Sequence, residues 1–211
     1  MIKVLLVDDH EIIRQGLRNI LERDEGLFSI DEAADGRDAL KKVFSIAYNV
    51  VVLDISLGDM DGIEVLKQIK REKPGIPVLI LSINPEINYA TRALKAGAAG
   101  YLRKDIASEE LVKAIQKVVS GKRYITESVA EYLAEEIGKE ENTSLHEQLS
   151  DREFQVFILL ASGKTVGEIA KQMFLSVKTI STYRTRILTK MRLRNNAQLM
   201  SYAVKHHLVE H

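Results

Sequence analysis

The sequence predicts two domains: an α/β doubly wound, five-stranded parallel sheet, followed by a small all-α four-helix domain that contains a helix-turn-helix. Through residue 123, five short apolar runs alternate with five helical patterns, whereas only helical patterns occur after residue 149. The charge also divides, because residues 1–146 carry 20 basic and 25 acidic side chains and residues 147–211 carry 10 and 5. An acidic front domain and a basic second domain indicate different partners.

Five predicted strands share short apolar runs of the kind that is buried on both faces of a parallel sheet. They are Ile2–Val7, Phe28–Ala33, Asn49–Asp54, Ile76–Ser82 and Ala99–Arg103. Apolar residues recurring at helical spacing predict helices over Ile12–Leu21, Gly36–Phe44, Gly62–Lys73, Pro85–Lys95 and a fifth that Ser108 caps and Gly121 ends. Because consecutive βαβ units are parallel, we expect one sheet with helices on both faces.

The remainder of the chain is predicted to be helical. A helix from Thr126 to about Gly138 and a flexible polar segment, Lys139–Ser144, precede the second domain. We therefore place the first domain at 1–123, the linker with its helix at 124–148 and the second domain at 149–211. A capping box of Ser150 and Glu153 begins the second domain's first helix. The other three helices are predicted at Thr165–Phe174, Ser176–Met191 and Asn195–His207.

Composition excludes several classes of protein. No apolar run approaches the roughly eighteen residues that span a bilayer, so we expect no membrane partner. The N-terminal segment lacks the apolar region of a secretory signal, and the chain has no cysteine, which excludes disulfides and thiolate chemistry. We expect a cytoplasmic protein whose metal chemistry, if present, uses oxygen ligands.

Polar residues follow four of the predicted strands, at the edge where doubly wound sheets bind their ligands. Asp8 and Asp9 close the first strand, Asp54 closes the third, and Ser82 and Lys104 stand at the ends of the fourth and fifth. Three converging carboxylates require a cation, and oxygen ligands suit Mg²⁺. A carboxylate can act as a nucleophile on phosphorus, while a hydroxyl and an ammonium group hold the phosphoryl oxygens. The pattern predicts phosphoryl chemistry.

The helix predicted to begin at Ser176 is strongly basic. Six basic residues and no acid lie between Ser176 and Arg194. A buried stripe of Ile180, Ile187, Leu188 and Met191 leaves Lys178, Thr179, Ser181, Thr182, Thr185 and Arg186 mostly outside. With the short helix before it, this helix forms a helix-turn-helix, whose second helix enters the major groove of double-stranded DNA. The neighbouring basic side chains, Arg184, Arg186 and Lys190, are expected to contact the phosphate backbone.

Residues 1–123 resemble the receiver domain of two-component response regulators, which has a flavodoxin-like fold. The resemblance is carried by VDDH at Val7–His10, LDISLGDMDG at Leu53–Gly62, LS at Leu81–Ser82 and GYLRK at Gly100–Lys104. It implies that a sensor histidine kinase phosphorylates Asp54. It also implies that Asp9, Asp54 and the Ser56 backbone carbonyl bind Mg²⁺, with Asp8 acting through a water, and that Ser82 and Lys104 hold the phosphoryl group while Tyr101 swings inward.

Two residues depart from the receiver pattern near the acceptor. Gly58 stands where proline is usual and Asp59 where glycine is frequent, so we expect an altered phosphorylation rate or phosphoryl lifetime. Ser56 and Asn84 occupy positions that tune hydrolysis in the family. No required ligand is missing.

The segment from Leu149 to Met191 resembles the LuxR-type helix-turn-helix, so the whole chain is similar to response regulators of the NarL/FixJ family. The resemblance implies that Lys178, Thr179, Ser181 and Thr182 contact the DNA groove. Tyr183 stands where histidine is frequent, and Phe174 where glycine is frequent in the turn. The resemblance to the family further implies a homodimer that phosphorylation controls. The protein is expected not to be an enzyme, although its receiver catalyses its own Mg²⁺-dependent phosphotransfer and autodephosphorylation.

Three alternatives remain open at this point. A Mg²⁺-dependent phosphohydrolase could use Asp54 as a transient nucleophile, but it generally needs an acid where this chain has Ser56. A DNA-binding protein with a phosphate-independent receiver is the second alternative. The third is phosphorylation-gated protein binding without DNA, for which binding would not show the salt dependence of a DNA complex.

Overall fold

The computed structural model describes residues 1–24, 26–58, 60–82, 86–127, 129–131, 134, 144–206 and 208–209, with backbone alone at 86–88, 108 and 109. It forms two compact units, residues 1–138 and residues 139–211. Among the described residues, no helix is both long and apolar enough to cross a membrane.

The first unit alternates strands and helices as the sequence predicted. Its strands are β1 (Ile2–Val7), β2 (Phe28–Ala33), β3 (Val50–Asp54), β4 (Val78–Ser82) and β5 (Gly100–Arg103). Its helices are α1 (Glu11–Glu22), α2 (Gly36–Ser45), α3 (Gly62–Glu72), α4 (Glu86–Lys95) and α5 (Ala107–Val119). All strands are parallel in the order β2-β1-β3-β4-β5, which confirms the doubly wound, five-stranded sheet.

The sheet is buried on both faces because helices cover both. Helices α1 and α5 contact each other on one face, and α2, α3 and α4 contact in sequence on the other. Every residue of β3 and β4 is buried, which explains their almost continuous apolar sequences. The core beneath α1 and α5 is built from aliphatic side chains of both layers, including Val4, Leu6, Leu21, Val52, Leu79, Leu111 and Ile115.

The prediction that Ser108 caps α5 is wrong. A 3₁₀ turn, Lys104–Ile106, leads directly into the helix, and the N–H of Ala107 donates to the carbonyl of Lys104. Ile106 therefore occupies the N-cap, without a side-chain cap, and Ser108 lies inside the first turn. The predicted helix from Thr126 to Gly138 and the segment Lys139–Ser144 fall largely outside the described residues.

The second unit contains the four predicted helices, α6 (Asp151–Ala161), α7 (Val166–Gln172), α8 (Val177–Lys190) and α9 (Asn196–Lys205). Ser150 and Thr165 each form a capping box, and Ser176 and Asn195 accept hydrogen bonds from backbone N–H groups of α8 and α9. Local capping thus fixes where each helix begins. The core between the helices contains Phe154, Phe157, Ile169, Ile180, Ile187 and Leu199.

Candidate functional site

The predicted acidic residues meet at the carboxyl edge of the sheet. Val7 pairs with Leu53 in the ladder between β1 and β3, so Asp8 and Asp54 leave the sheet side by side. Lys104, which follows β5, reaches both: its Nζ lies 2.6 Å from Asp8 Oδ2 and 2.7 Å from Asp54 Oδ2. Asp8 and Asp54 are buried, and only 10% of the Lys104 side chain is exposed. A largely buried ammonium group therefore bridges two buried carboxylates.

Burial and the neighbouring charges compete to set the ionisation of this cluster. Burial raises the pKa of Asp54, and the negative charge of Asp8 raises it further, although Lys104 and the Ser56 N–H act in the opposite direction. Burial would lower the pKa of Lys104, but attraction to Asp54 and Asp8 outweighs it and leaves that pKa raised. The cluster therefore holds an excess of negative charge that an additional cation would stabilise.

Asp9 and His10 complete a group of oxygen and nitrogen atoms suited to a metal ion. One ligand atom from each of Asp8, Asp9, His10 and Asp54 lies within 4.8 Å of the others. Asp9 Oδ1 is buried and accepts no well-aligned hydrogen bond, although His10 Nδ1 lies 2.7 Å away. A buried carboxylate oxygen without a hydrogen bond is costly unless a cation or water satisfies it. The three carboxylates of this group fit Mg²⁺, which takes oxygen ligands, whereas the imidazole nitrogen of His10 does not.

Two of the other predicted site residues, Ser82 and Ser56, lie beside Asp54 at the same edge of the sheet. Ser82 ends β4 and is buried, one residue beyond Leu81, the ladder partner of Asp54. Ser56 lies in the loop after β3, where its N–H donates to Asp54 Oδ1 at 3.2 Å. Tyr101 on β5 is buried. Gly58 is described in the same loop as Ser56, whereas Asp59 and Asn84 lie outside the described residues.

Two residues with a positioning role were missed from the sequence. Gly62 packs so closely on the end of β3 that an added Cβ would lie 2.6 Å from the Cα of Ile55. Arg14 donates to the backbone carbonyl of Asp8 at 2.7 Å and pairs with Glu32 at 3.2 Å. A glycine at the first position of α3 could have indicated the close packing at Gly62, but no local sequence pattern links Arg14 to Asp8.

The exposed face of α8 carries most of the predicted DNA contacts. Lys178, Ser181, Thr182 and Arg186 are exposed, while Ile180, Ile187 and Met191 are buried beneath them. A shallow cavity on this face has a volume of about 300 Å³. It is lined by Ser176, Lys178, Thr179, Thr182, Tyr183 and Arg186. Thr179 is half-buried, and its hydroxyl lies 2.8 Å from that of the N-cap Ser176.

Two predicted backbone contacts have partners inside the second unit. Arg184 Nε donates to Asn196 Oδ1 at 2.7 Å, which ties α8 to α9. Lys190 Nζ lies 2.6 Å from Glu153 Oε2, which is buried on α6. Burial alone would raise the pKa of Glu153, but hydrogen bonds from Lys190 and Ser150 outweigh it and lower that pKa. These two basic side chains therefore hold the helices together.

Comparisons with known proteins identify the family of each unit. A "Response regulator receiver domain" matches residues 4–116, and "Bacterial regulatory proteins, luxR family" matches residues 147–203. The response regulator UvrY of Escherichia coli (strain K12) is 38% identical over 209 residues, which covers 99% of this chain and 96% of UvrY. The response regulator GacA of Pseudomonas aeruginosa is 36% identical over 211 residues, covering 100% of this chain and 99% of GacA.

A solved structure is also similar over almost the whole chain. RcsB from Salmonella enterica serovar Typhimurium, bound to a promoter in the presence of the phosphomimetic BeF₃⁻, has a TM-score of 0.59 and 29% identity, covering 95% of this chain and 97% of RcsB. The resemblance seen in the sequence is confirmed. The chain belongs to the NarL/FixJ family of two-component response regulators, transcription regulators that join a receiver domain to a LuxR-type DNA-binding domain.

Proposed function

We propose that this response regulator is phosphorylated on Asp54 by a sensor histidine kinase and that the phosphoryl group controls its binding to double-stranded DNA. The observation that carries the proposal is the bridge from Lys104 to Asp8 and Asp54. We place the receiver at 1–123, the linker at 124–148 and the DNA-binding domain at 149–211, in a cytoplasmic protein.

The acidic cluster supplies the binding groups for Mg²⁺. Asp9, Asp54 and the backbone carbonyl of Ser56 would bind the ion, and Asp8 would hold one of its waters. The bound ion would neutralise the negative charge that two phosphoryl-transfer partners bring together. The buried Asp9 Oδ1, which accepts no well-aligned hydrogen bond, supports this assignment.

Phosphoryl transfer requires a nucleophile and groups that hold the phosphoryl oxygens. A carboxylate oxygen of Asp54 attacks the phosphorus of a phosphohistidine, the P–N bond breaks with its electron pair going to the imidazole, and a neutral histidine leaves because its other ring nitrogen already carries a proton. Lys104 and Ser82 then hold the phosphoryl oxygens, which exchanges the carboxylate partners of Lys104 for new ones. The same residues also catalyse hydrolysis, in which a water attacks the phosphorus, the bond between phosphorus and the Asp54 oxygen breaks, and inorganic phosphate leaves. Tyr101 follows Ser82 between the two conformations.

The exposed face of α8 supplies the DNA contacts. Lys178, Ser181 and Thr182, together with the half-buried Thr179, face the major groove, and Arg186 contacts phosphate. Arg184 and Lys190, whose side chains are held by Asn196 and Glu153, support the orientation of α8 and contribute positive charge. We propose that phosphorylated chains form a homodimer, because two helices then read paired half-sites about one helical turn apart. The structure of RcsB bound to a promoter in the presence of BeF₃⁻ supports DNA binding in a phosphorylated-like state.

The intact mass of the full chain tests the phosphorylation step. Wild type and Asp54→Asn are incubated with a small phosphodonor, with Mg²⁺ or with a chelator. We expect one added phosphoryl group on the wild type, only with Mg²⁺, and none on the variant. An adduct of equal yield on Asp54→Asn contradicts the assignment of the acceptor. If the wild type gains no adduct, binding of BeF₃⁻ distinguishes rapid hydrolysis from a receiver that does not use phosphate.

A further inference from the structure

Phe174 adopts a backbone conformation that its side chain disfavours. Its φ is +52°, and it is one of two non-glycine residues with positive φ in the described part of the chain, the other being Arg192. The N–H of Phe174 donates to the carbonyl of Lys171 at 3.3 Å, and that of Leu175 to the carbonyl of Ala170 at 2.9 Å. This pair of bonds ends α7 and demands a left-handed residue, for which glycine or asparagine is preferred.

Packing of the Phe174 side chain does little to compensate for this strain. The Phe174 side chain is 74% exposed, so it contributes little to the core of the second unit. A glycine would make the same backbone hydrogen bonds without the clash of a Cβ.

Phe174 lies in the turn just before α8, whose basic face is formed by the exposed residues Lys178, Ser181, Thr182 and Arg186. Two residues later, Ser176 caps α8 and lines the shallow cavity with Lys178 and Arg186. Val177, the first residue of α8, is 56% exposed, and helical spacing puts it in line with the exposed Ser181 and Thr185. Val177 thus continues the exposed face of α8 at its N-terminal end, and the exposed Phe174 lies in the turn that precedes it.

We infer that Phe174 and Val177 make apolar contacts with duplex DNA, beside the polar contacts of the basic face. The inference rests on the proposed DNA-binding function. Six basic residues and no acid between Ser176 and Arg194 favour a polyanionic partner over an apolar protein surface. In duplex DNA, the apolar groups that face a helix in the major groove are the C5-methyl group of thymine and the deoxyribose edge. Phe174 therefore adds affinity and base preference that charge alone cannot supply.

The test uses the full chain with BeF₃⁻ and a short duplex that the wild type enriches from a random-sequence library. Phe174→Gly and Phe174→Asn both accept the left-handed conformation, so they remove the aromatic ring without disturbing the turn. We expect each variant to bind about tenfold more weakly, with an unchanged dependence on salt because no phosphate contact is lost. We also expect Phe174→Gly to melt at a higher temperature, since backbone strain is removed.

Three controls separate the outcomes. Phe44→Ala removes an exposed aromatic ring from the first unit and should leave the affinity unchanged, whereas Lys178→Ala should weaken binding and reduce the salt dependence. Replacing thymine by deoxyuridine in the duplex removes the methyl group. Equal losses for Phe174→Gly on both duplexes support a deoxyribose contact, and a loss confined to the thymine duplex supports a methyl contact.

Two results would overturn the inference. If Lys178→Ala weakens binding and both Phe174 variants bind as tightly as the wild type, the apolar contact is absent although the DNA-binding function stands. If the wild type enriches no duplex, the proposed DNA-binding function and this inference fall together.

Discussion

Lys104 bridges two buried carboxylates in the receiver, and its replacement by methionine has a predictable cost. Its ammonium lies 2.6 and 2.7 Å from two buried carboxylate oxygens, of Asp8 and Asp54. Each contact represents a gross attraction of about 6 kcal/mol at an effective dielectric constant near 20, much of which desolvation offsets. Removing one partner of a buried ion pair typically costs about 3–5 kcal/mol, so we expect Lys104→Met to destabilise the metal-free receiver by about 3 kcal/mol.

The dependence on pH and on Mg²⁺ distinguishes this cost from lost packing. Because the pKa of Lys104 is raised, its stabilising charge is fully present below the ordinary lysine pKa and is lost only as the pH rises through the folded value. The pKa of Asp54 is also raised, so Asp54 takes up a proton as the pH falls and the penalty in the variant shrinks. Mg²⁺ should shrink the penalty as well, since it neutralises the same carboxylates.

Urea unfolding of the full chain measures this effect. The chain has no tryptophan, so circular dichroism follows the transition, and the receiver transition is the one that responds to Mg²⁺. Lys41→Met, which removes an exposed charge on α2, should change the stability by less than about 0.5 kcal/mol. If Lys104→Met is as stable as the wild type in a chelator, or if its loss of stability is the same with and without Mg²⁺, Lys104 does not stabilise the receiver through its charge.

Three further predictions follow from the two sites. Gly62→Ala should destabilise the receiver by about 1–3 kcal/mol and slow phosphorylation, because its Cβ would lie 2.6 Å from the Cα of Ile55. Urea unfolding measures the stability and phosphodonor labelling measures the rate. An unchanged labelling rate would contradict the second effect. Mg²⁺ at 100 times its dissociation constant should stabilise the wild-type receiver by about 2.7 kcal/mol but should not stabilise Asp54→Asn. Thermal melting with Mg²⁺ and with a chelator measures this effect. Equal shifts of the melting temperature in both proteins would argue against Asp54 as a ligand. Glu153→Gln should destabilise the second unit by about 1–3 kcal/mol at neutral pH. Since the folded pKa of Glu153 is lowered, its contribution is present above the unfolded pKa and is lost as the pH falls through the folded value, so the variant should converge with the wild type in acid melts.

The sequence predicted the fold well because its elements depend on local patterns. Strands buried on both faces leave continuous apolar runs, and β2 was predicted with its observed bounds, Phe28–Ala33. β4 begins at Val78 and not at the predicted Ile76, because Pro77 has no N–H to donate to a ladder. The cap of α5 was predicted wrongly at Ser108, because a 3₁₀ turn leads directly into that helix and the local sequence does not indicate this turn.

The acidic cluster was predictable because topology alone brings strand ends together. Asp8, Asp54 and Lys104 are far apart in sequence, but the order β1-β3-β4-β5 and the parallel ladders bring them to one edge. Tertiary partners were not predictable in the same way. Arg184 and Lys190 looked like free positive charges on α8, whereas Asn196 and Glu153 on other helices hold them. Such contacts depend on how helices pack, which no local pattern encodes.

The affinity for DNA with and without BeF₃⁻ tests most directly whether the receiver controls the basic domain. The full-length wild type and Asp54→Asn are compared on the same enriched duplex, at one salt concentration and with Mg²⁺ present. We expect BeF₃⁻ to tighten binding by the wild type about 5–150-fold, the range of typical allosteric coupling, and to leave Asp54→Asn unchanged. Equal affinities of the wild type with and without BeF₃⁻, or an equal response of the variant, would contradict control of DNA binding through Asp54.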